Sequence, residues 1–253
     1  SGDTVTIINN GAVRAFGGGG GAGGSTSAGA AGAAGGHAID LGFATTLTNN
    51  NLIQGGGGLD QATARFFEQV DDLCKQNNTM FIADEVQSGY GRSGKFFAYQ
   101  HYNVTPDIIS IAKGMGNGFP IGGILIHPNI KAKFGMLGTT FGGNHLACAA
   151  GLAVLNVIED ENLMDNVNEM SAYFIKIAKT IPQIKTIKGR GLMLGLEFNF
   201  EVSDLRKKLI YEYQIFTGGA KNKNLLRILP PLNVKKEHIN QFFEALVDAL
   251  SDK

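Results

Sequence analysis

Two short apolar runs break the alternation of hydrophobic and polar positions along this chain, residues 80–83 (MFIA) and 108–112 (IISIA). Each delivers charge at its end, Asp84-Glu85 after the first and Lys113 after the second. Runs this short and this apolar, bounded by turn residues, read as strands buried in a parallel sheet, where function collects at the carboxyl ends. An acid and a lysine are therefore expected at one sheet edge. Upstream, Phe66, Phe67, Val70, Leu73 and Cys74 recur at helical spacing and predict an amphipathic helix, with Asp60 as candidate cap and an end near Asn77-Asn78. A loop carrying Gly89, Gly91 and Gly94 separates the two strands, and residues 121–127 predict a third.

The pattern then turns helical over 146–158 and 162–181, the second segment placing Leu163, Val167, Met170, Phe174 and Ile177 on one face. Strand signals at 192–198 and 225–229 alternate with helices at 204–213 and 235–250. The last helix carries a core stripe of Ile239, Phe242, Phe243, Leu246, Val247 and Leu250. Elements in this order predict an α/β unit with a mostly parallel sheet over 51–159, followed by a smaller α+β unit over 160–253.

Residues 1–50 read differently. Positions 17–36 are nearly all Gly, Ala, Ser and Thr, which cannot bury enough apolar surface to offset chain entropy. The block is low in complexity and unassigned, either a flexible linker or a join between pieces of a longer protein. Residues 4–8 (TVTII) predict one strand and Gly35-Gly36-His37 a turn, and no chemistry is assigned there.

Composition narrows the partner. Lys plus Arg equals Asp plus Glu at 22 each, so no excess charge points to nucleic acid or an acidic surface, and a small molecule is expected. No apolar run of about 18 residues and no amino-terminal signal pattern occurs, so neither a membrane span nor secretion is expected. Cys74 and Cys148 both fall in apolar helical patterns, where a thiol is packing material in a reducing compartment; a cytoplasmic placement follows. The five histidines show no metal-ligand spacing, so no zinc site is expected.

An Asp after an apolar strand is commonly a cap or turn residue, and an isolated Lys a solvated charge. Their combination changes that picture. The run 108–112 is too apolar for an edge strand, and Gly114, Gly116 and Gly118 behind Lys113 let backbone approach a ligand closely. A lysine partly desolvated there has its pKa pushed down, as Schiff-base chemistry requires of an amine. The Gly-rich turns at 55–58 and 114–118 also raise nucleotide binding. Neither ends in Gly-Lys-Ser/Thr, and no Gly-x-Gly-x-x-Gly opens a helix after a strand.

Longer blocks carry a family resemblance. Asp84-Glu85-Val86-Gln87-Ser88-Gly89 with Gly91-Arg92-Ser93-Gly94, the run from Asp107 to Lys113 and Gly118-Phe119-Pro120-Ile121-Gly122 come first. Gly138-Thr139-Thr140-Phe141-Gly142-Gly143-Asn144, Gly189-Arg190-Gly191-Leu192-Met193-Leu194-Gly195 and Leu226-Arg227-Ile228-Leu229-Pro230-Pro231-Leu232 follow in order. Together they resemble the signature of class III aminotransferases over residues 52–253. Within the class, the stretches 97–102 and Thr139-Thr140 most resemble the acetylornithine aminotransferases.

The resemblance implies a pyridoxal 5′-phosphate (PLP) enzyme of transferase fold type I. Residues 51–159 would belong to its large cofactor-binding domain and interdomain helix, and 160–253 to its small C-terminal domain. It implies that Lys113 binds the cofactor covalently and shuttles the proton, while Asp84 partners the pyridine nitrogen. Val86 packs on the ring face and Gln87 lies near the phenolic oxygen. Thr140 contacts the phosphate of the neighbouring subunit's cofactor, which makes a homodimer with shared active sites part of the expectation. Arg227 holds a substrate carboxylate, and Arg190 is structural. Without the resemblance, Val86 reads as core, Gln87 as a surface amide and Arg227 as a surface charge.

The expected reaction moves the terminal amino group of N-acetylornithine or N-succinylornithine to 2-oxoglutarate, in arginine biosynthesis. Ornithine or 4-aminobutyrate is the alternative donor within the class. A catalytically incomplete remnant of the fold, or an α/β binding protein, is the alternative outside it. The chain departs from the family pattern at Gly56, at Asn51-Leu52 and at Asn144-His145. The phosphate loop, ring-stacking aromatic and further substrate arginine of the family's first half are not found in residues 1–50.

Overall fold

The computed structural model describes residues 13–15, 46–50, 59, 61–131, 133–134 and 138–251. Its first elements are β1 (Val13–Ala15) and β2 (Thr46–Asn50), then α1 (Ala64–Gln76) and β3 (Met80–Asp84). There follow β4 (Ile108–Ile111), β5 (Gly123–Ile126), α2 (His145–Asp160) and α3 (Leu163–Ala178). The chain closes with β6 (Thr186–Arg190), β7 (Met193–Glu197), α4 (Ser203–Tyr211), β8 (Leu225–Ile228) and α5 (Lys236–Ser251).

One sheet has the order β1-β2-β3-β4-β5, parallel as far as β4 and antiparallel at β5. The two apolar runs are its neighbouring inner strands, as their composition predicts. Their register sets Ile82 opposite Ile108 and Asp84 opposite Ser110, so Asp84 and Lys113 leave the sheet from the same edge. One face of these strands is buried, where Phe81 and Ala83 of β3 pack with Ile109 and Ile111 of β4 and α1 covers them with Phe67, Val70 and Cys74. Ile82, Asp84, Ile108 and Ser110 on the other face are half-buried, which corrects the expectation of fully buried strands. Burial pushes the Cys74 thiol up to about 12, with Asp71 adding to it, so this sulfur is inert packing.

The second sheet, β6-β7-β8, is antiparallel, and α3 and α5 close its core. Leu194, Leu196, Leu226, Phe174, Phe243 and Leu246 are buried there, which is the stripe-on-sheet packing that the helical spacing of α5 encodes. Val247 is the exception: it lies off the buried face, 51% exposed, because the stripe turns through Phe243, Leu246 and Leu250.

Several expectations are corrected. The cap of α1 is Thr63, whose Oγ1 accepts the Phe66 N–H at 3.2 Å, because a cap must directly precede the first helical turn. Asp60, the strand at 4–8, the turn at 35–37 and the turn at 55–58 lie outside the described residues. Strands β1 and β2 occupy the stretch to which the sequence assigns no element. They are short, and pairing of β2 against β3 and of β1 against β2, rather than local propensity, selects them. The polar strand β6 is likewise absent from the sequence pattern and exists as a hairpin partner of β7. Cys148 is exposed rather than packed. The same holds for Leu146, Leu152 and Val157, because α2 is apolar on more than one side and turns only Ala147, Gly151 and Ile158 inward. Among the described residues no helix is long and apolar enough to cross a membrane.

Candidate active site

The site grows out of the shared edge of β3 and β4. Asp84 Oδ1 accepts the Val86 N–H and the Ser110 hydroxyl, each at 3.1 Å, which ties the carboxylate to the neighbouring strand three residues before Lys113. No hydrogen bond from the described residues reaches Oδ2. Glu85 is fully buried on the other side, since successive strand residues face opposite ways. Its carboxylate accepts the Tyr99 N–H at 2.8 Å and the Ser88 hydroxyl. Burial pushes the Glu85 carboxyl up, partly offset by those hydrogen bonds, with Asp84 adding to the rise. Glu85 thus folds the loop 86–99 back on the strand. Gly89 permits this closure, because a Cβ there would meet the Glu85 carbonyl at 2.8 Å. The alternation of two adjacent acids at a strand end was the available signal for this division of roles.

Past β4 the chain enters a short 3₁₀ turn, Lys113–Met115, whose Lys113 carbonyl accepts from the Gly116 and Asn117 amides, each at 3.2 Å. Lys113 has φ +43°, a left-handed conformation uncommon outside glycine and typical of places where surrounding structure imposes it. Its side chain lines a cavity of about 510 Å³, within the size range of cofactor and ligand sites. Lys113 is exposed, which corrects the expectation of partial desolvation: the strand end opens into the cavity rather than into packed interior.

Gln87 shares this cavity with Lys113, as do Tyr90 and Arg92, and Val154 and Leu232 supply apolar wall. Asp84 lies behind it on the strand edge, and half-buried Val86 follows directly. Thr140 and Arg227 are not among the residues lining the cavity. Thr140 is exposed in the turn before α2, where the Thr139 hydroxyl accepts the Gly142 N–H at 3.2 Å and that of Thr140 has no partner among the described residues. Arg227 sits in β8 opposite Gly195 and is flanked by a bridge to Gly218. Its Nε is buried with no hydrogen-bond partner among the described residues, as is that of Arg206. Arg190 stacks over the Tyr102 ring, its guanidinium carbon 5.8 Å from the centroid, which fits the structural reading. Tyr90 and Arg92 were not singled out from sequence; Arg92 stands inside a quoted motif, and only its fold neighbours give it a place in the cavity. Among the described residues no group of three or more His, Cys, Asp or Glu is placed to hold a metal ion.

The loop also holds a pH-sensitive packing element. His101 Nε2 lies 3.1 Å from the Ser93 carbonyl, and burial, with Arg190 and Lys95 nearby, depresses its pKa from 6.5 to about 4. A depressed pKa means the folded state binds fewer protons than the unfolded one. The contribution is therefore complete above pH 6.5 and is lost as pH falls towards 4. His101→Gln is expected to flatten the dependence of the urea-unfolding midpoint over this window, and an unchanged slope would assign the dependence to other groups.

Comparison with known proteins fits this arrangement. The class-III aminotransferase family model matches residues 47–250. An acetylornithine aminotransferase of Aquifex aeolicus is 43% identical over 201 residues, 79% of this chain and 52% of that protein. An ornithine aminotransferase of an Exiguobacterium species is 38% identical over 204 residues, covering 79% of this chain and 50% of that protein. A solved ornithine aminotransferase from Plasmodium yoelii superposes with a TM-score of 0.74 at 32% identity, covering 82% of this chain and 57% of that one. The chain thus spans about half the length of the relatives it matches. With the family pattern running from the second strand of the sheet to the last helix, the chain belongs to the class-III aminotransferases, PLP-dependent proteins of fold type I.

Proposed function

We propose that the protein is an aminotransferase that moves the terminal amino group of N-acetylornithine or N-succinylornithine to 2-oxoglutarate, as a step of arginine biosynthesis in the cytoplasm. The observation that carries this reading is the Lys113 amine lining a cavity of cofactor size, with the Asp84 carboxylate hydrogen-bonded to the same strand. The relatives named acetylornithine aminotransferase favour the acylated donor. Those named ornithine aminotransferase keep unacylated ornithine as a second reading.

The residues present fit pyridoxal phosphate on its ring side: an accessible amine on the cavity wall and, behind it, a carboxylate oxygen with no hydrogen-bond partner among the described residues. When bound, the cofactor supplies an electron sink for the negative charge left on the substrate carbon. In this reading Lys113 Nζ would hold the cofactor covalently and, once free, would carry the proton from the amino-bearing carbon of the substrate to the cofactor. Asp84 would keep the ring nitrogen protonated, Val86 would pack on the ring face and Gln87 would serve its phenolic oxygen. Arg227 binds a substrate carboxylate through its planar, permanently charged fork. Residues 51–159 would serve as part of the large cofactor-binding domain with the interdomain helix, and 160–253 as the small C-terminal domain.

Thr140 serves the phosphate of a second subunit, so the active form is a homodimer. Its exposed hydroxyl, away from the cavity of its own chain, supports this, as do the exposed apolar residues of α2. Rates of the full-length protein with N-acetylornithine, N-succinylornithine, ornithine and 4-aminobutyrate test the donor. An acylated donor is expected to lead in kcat/KM by about tenfold or more, the equivalent of ~1.4 kcal/mol for one mismatched polar group. A lead by ornithine establishes the second reading, and no transfer from any of the four overturns both.

A further inference from the structure

The loop between β3 and β4 reaches the second sheet through Arg92 as well as through the contact of Tyr102 with Arg190. The Arg92 carbonyl accepts the Leu192 N–H at 3.0 Å, and Arg92 Nη1 donates back to the Leu192 carbonyl at 3.3 Å and to the Pro230 carbonyl. Leu192 is fully buried in the turn between β6 and β7. Pro230 stands three residues after Arg227 and directly before Pro231 and Leu232, which line the Lys113 cavity together with Arg92 itself. The approach is close: Gly191 has φ +57°, and a Cβ there would lie 2.5 Å from the Arg92 carbonyl.

This contact is chemically unusual. Among the described residues no acid pairs with Arg92, and burial alone pushes its guanidinium below the ordinary value. A neutral amide also donates to a carbonyl, without the cost of desolvating a charge. What a guanidinium adds is a rigid plane that holds two acceptors from separate segments in fixed relation. The far end of the cavity-lining segment is anchored independently, since Asn166 Nδ2 of α3 donates to the Leu232 carbonyl at 2.7 Å and the Val234 carbonyl at 3.0 Å. Arg92 is thus the tie that links the near end of that segment to the loop carrying Gln87.

We propose that Arg92 is a positioning residue for the substrate side of the site, setting the wall 229–232 and the strand of Arg227 against the edge that bears Lys113. Its removal weakens substrate binding while cofactor attachment persists. The substrate half of this statement rests on the aminotransferase reading above; the positional half does not.

The test uses Arg92→Gln and Arg92→Lys in the full-length protein, with two readouts. Without cofactor, hydrogen exchange in Arg92→Gln is expected to rise about tenfold at the Leu192 amide and at the amides of Leu229 and Leu232, with α3 and α5 as in the parent. Unchanged exchange at both places overturns the proposal. In the holoenzyme, visible absorbance during cofactor titration is expected to match the parent within about twofold, while KM for the 2-oxo acid rises about tenfold with kcat little changed. Arg92→Lys, which restores the charge and one donor at a time, is expected to recover part of that KM. A fall in cofactor affinity parallel to the rise in KM, or a loss in kcat alone, overturns the substrate half. If Arg92→Gln fails to fold, Arg92→Lys carries both readouts with the same criteria. A parent protein with neither cofactor absorbance nor transamination sinks the aminotransferase reading and with it the substrate half, and the exchange experiment still decides the positional half.

Discussion

Lys113→Ala is expected to abolish the visible absorbance that full-length protein develops with pyridoxal phosphate, and to lower transamination by at least the ~10²–10⁴-fold that a positioned acid-base group contributes. Both losses come from one amine, which in the proposed mechanism is the covalent anchor as well as the proton carrier. Lys113 is exposed and its side chain makes no hydrogen bond or ion pair among the described residues, so truncation removes chemistry without opening a cavity in the core. The carbonyl that closes the turn, accepting from Gly116 and Asn117, belongs to the backbone and survives the change. Stability is therefore expected to stay within about 0.5 kcal/mol of the parent, as for surface substitutions elsewhere. Absorbance titration, steady-state rates and thermal unfolding measured together make the outcome decisive. A variant that keeps the parent's absorbance band removes Lys113 from the proposed role.

Asp84→Asn carries the second largest expected effect. Asparagine keeps the oxygen that accepts the Val86 N–H and the Ser110 hydroxyl, so the link between β3 and β4 stays in place and only the charge leaves. A hydrogen bond to a charged group is worth about 1.5–3 kcal/mol, which corresponds to a fall in kcat of roughly 10- to 100-fold. The band that reports attachment to Lys113 is expected to remain, because that bond is made from the other strand. Unchanged kcat with retained folding would place the ring-nitrogen partner elsewhere. The neighbouring Glu85 makes the contrast sharper, since its carboxylate is spent on Ser88 and Tyr99 and is sealed from the cavity.

Much of the fold was legible because local pattern and tertiary context agree where an element presents an apolar face to a core. The inner strands 80–84 and 108–111 bury Phe81, Ala83, Ile109 and Ile111 on one face, and α1, α3 and α5 carry one apolar stripe each because each packs on one side. Where an apolar element is left uncovered, the pattern misleads. The apolar sequence of α2 reads as core, yet its packing leaves Leu146, Leu152 and Cys148 uncovered within this chain. Strands β1, β2 and β6 are invisible in periodicity because their hydrogen-bond partners, not their side chains, make them strands.

The candidate site divides in the same way. From sequence alone came the delivery of Asp84 and Lys113 to one edge, at the ends of adjacent apolar runs, whereas Gln87 and Arg227 were named only through the family resemblance. That delivery follows from chain order, since parallel neighbouring strands present their carboxyl ends together. Only the tertiary structure decided which of two adjacent acids faces out, that Lys113 stands open to a cavity, and that Arg92 joins the loop of one sheet to the turn and strand end of the other. Those outcomes depend on contacts such as Arg92 with Leu192 and Pro230, about one hundred positions or more apart in the chain. Short-range periodicity holds no record of them, because it reports which face of an element is buried and not what lies across from it.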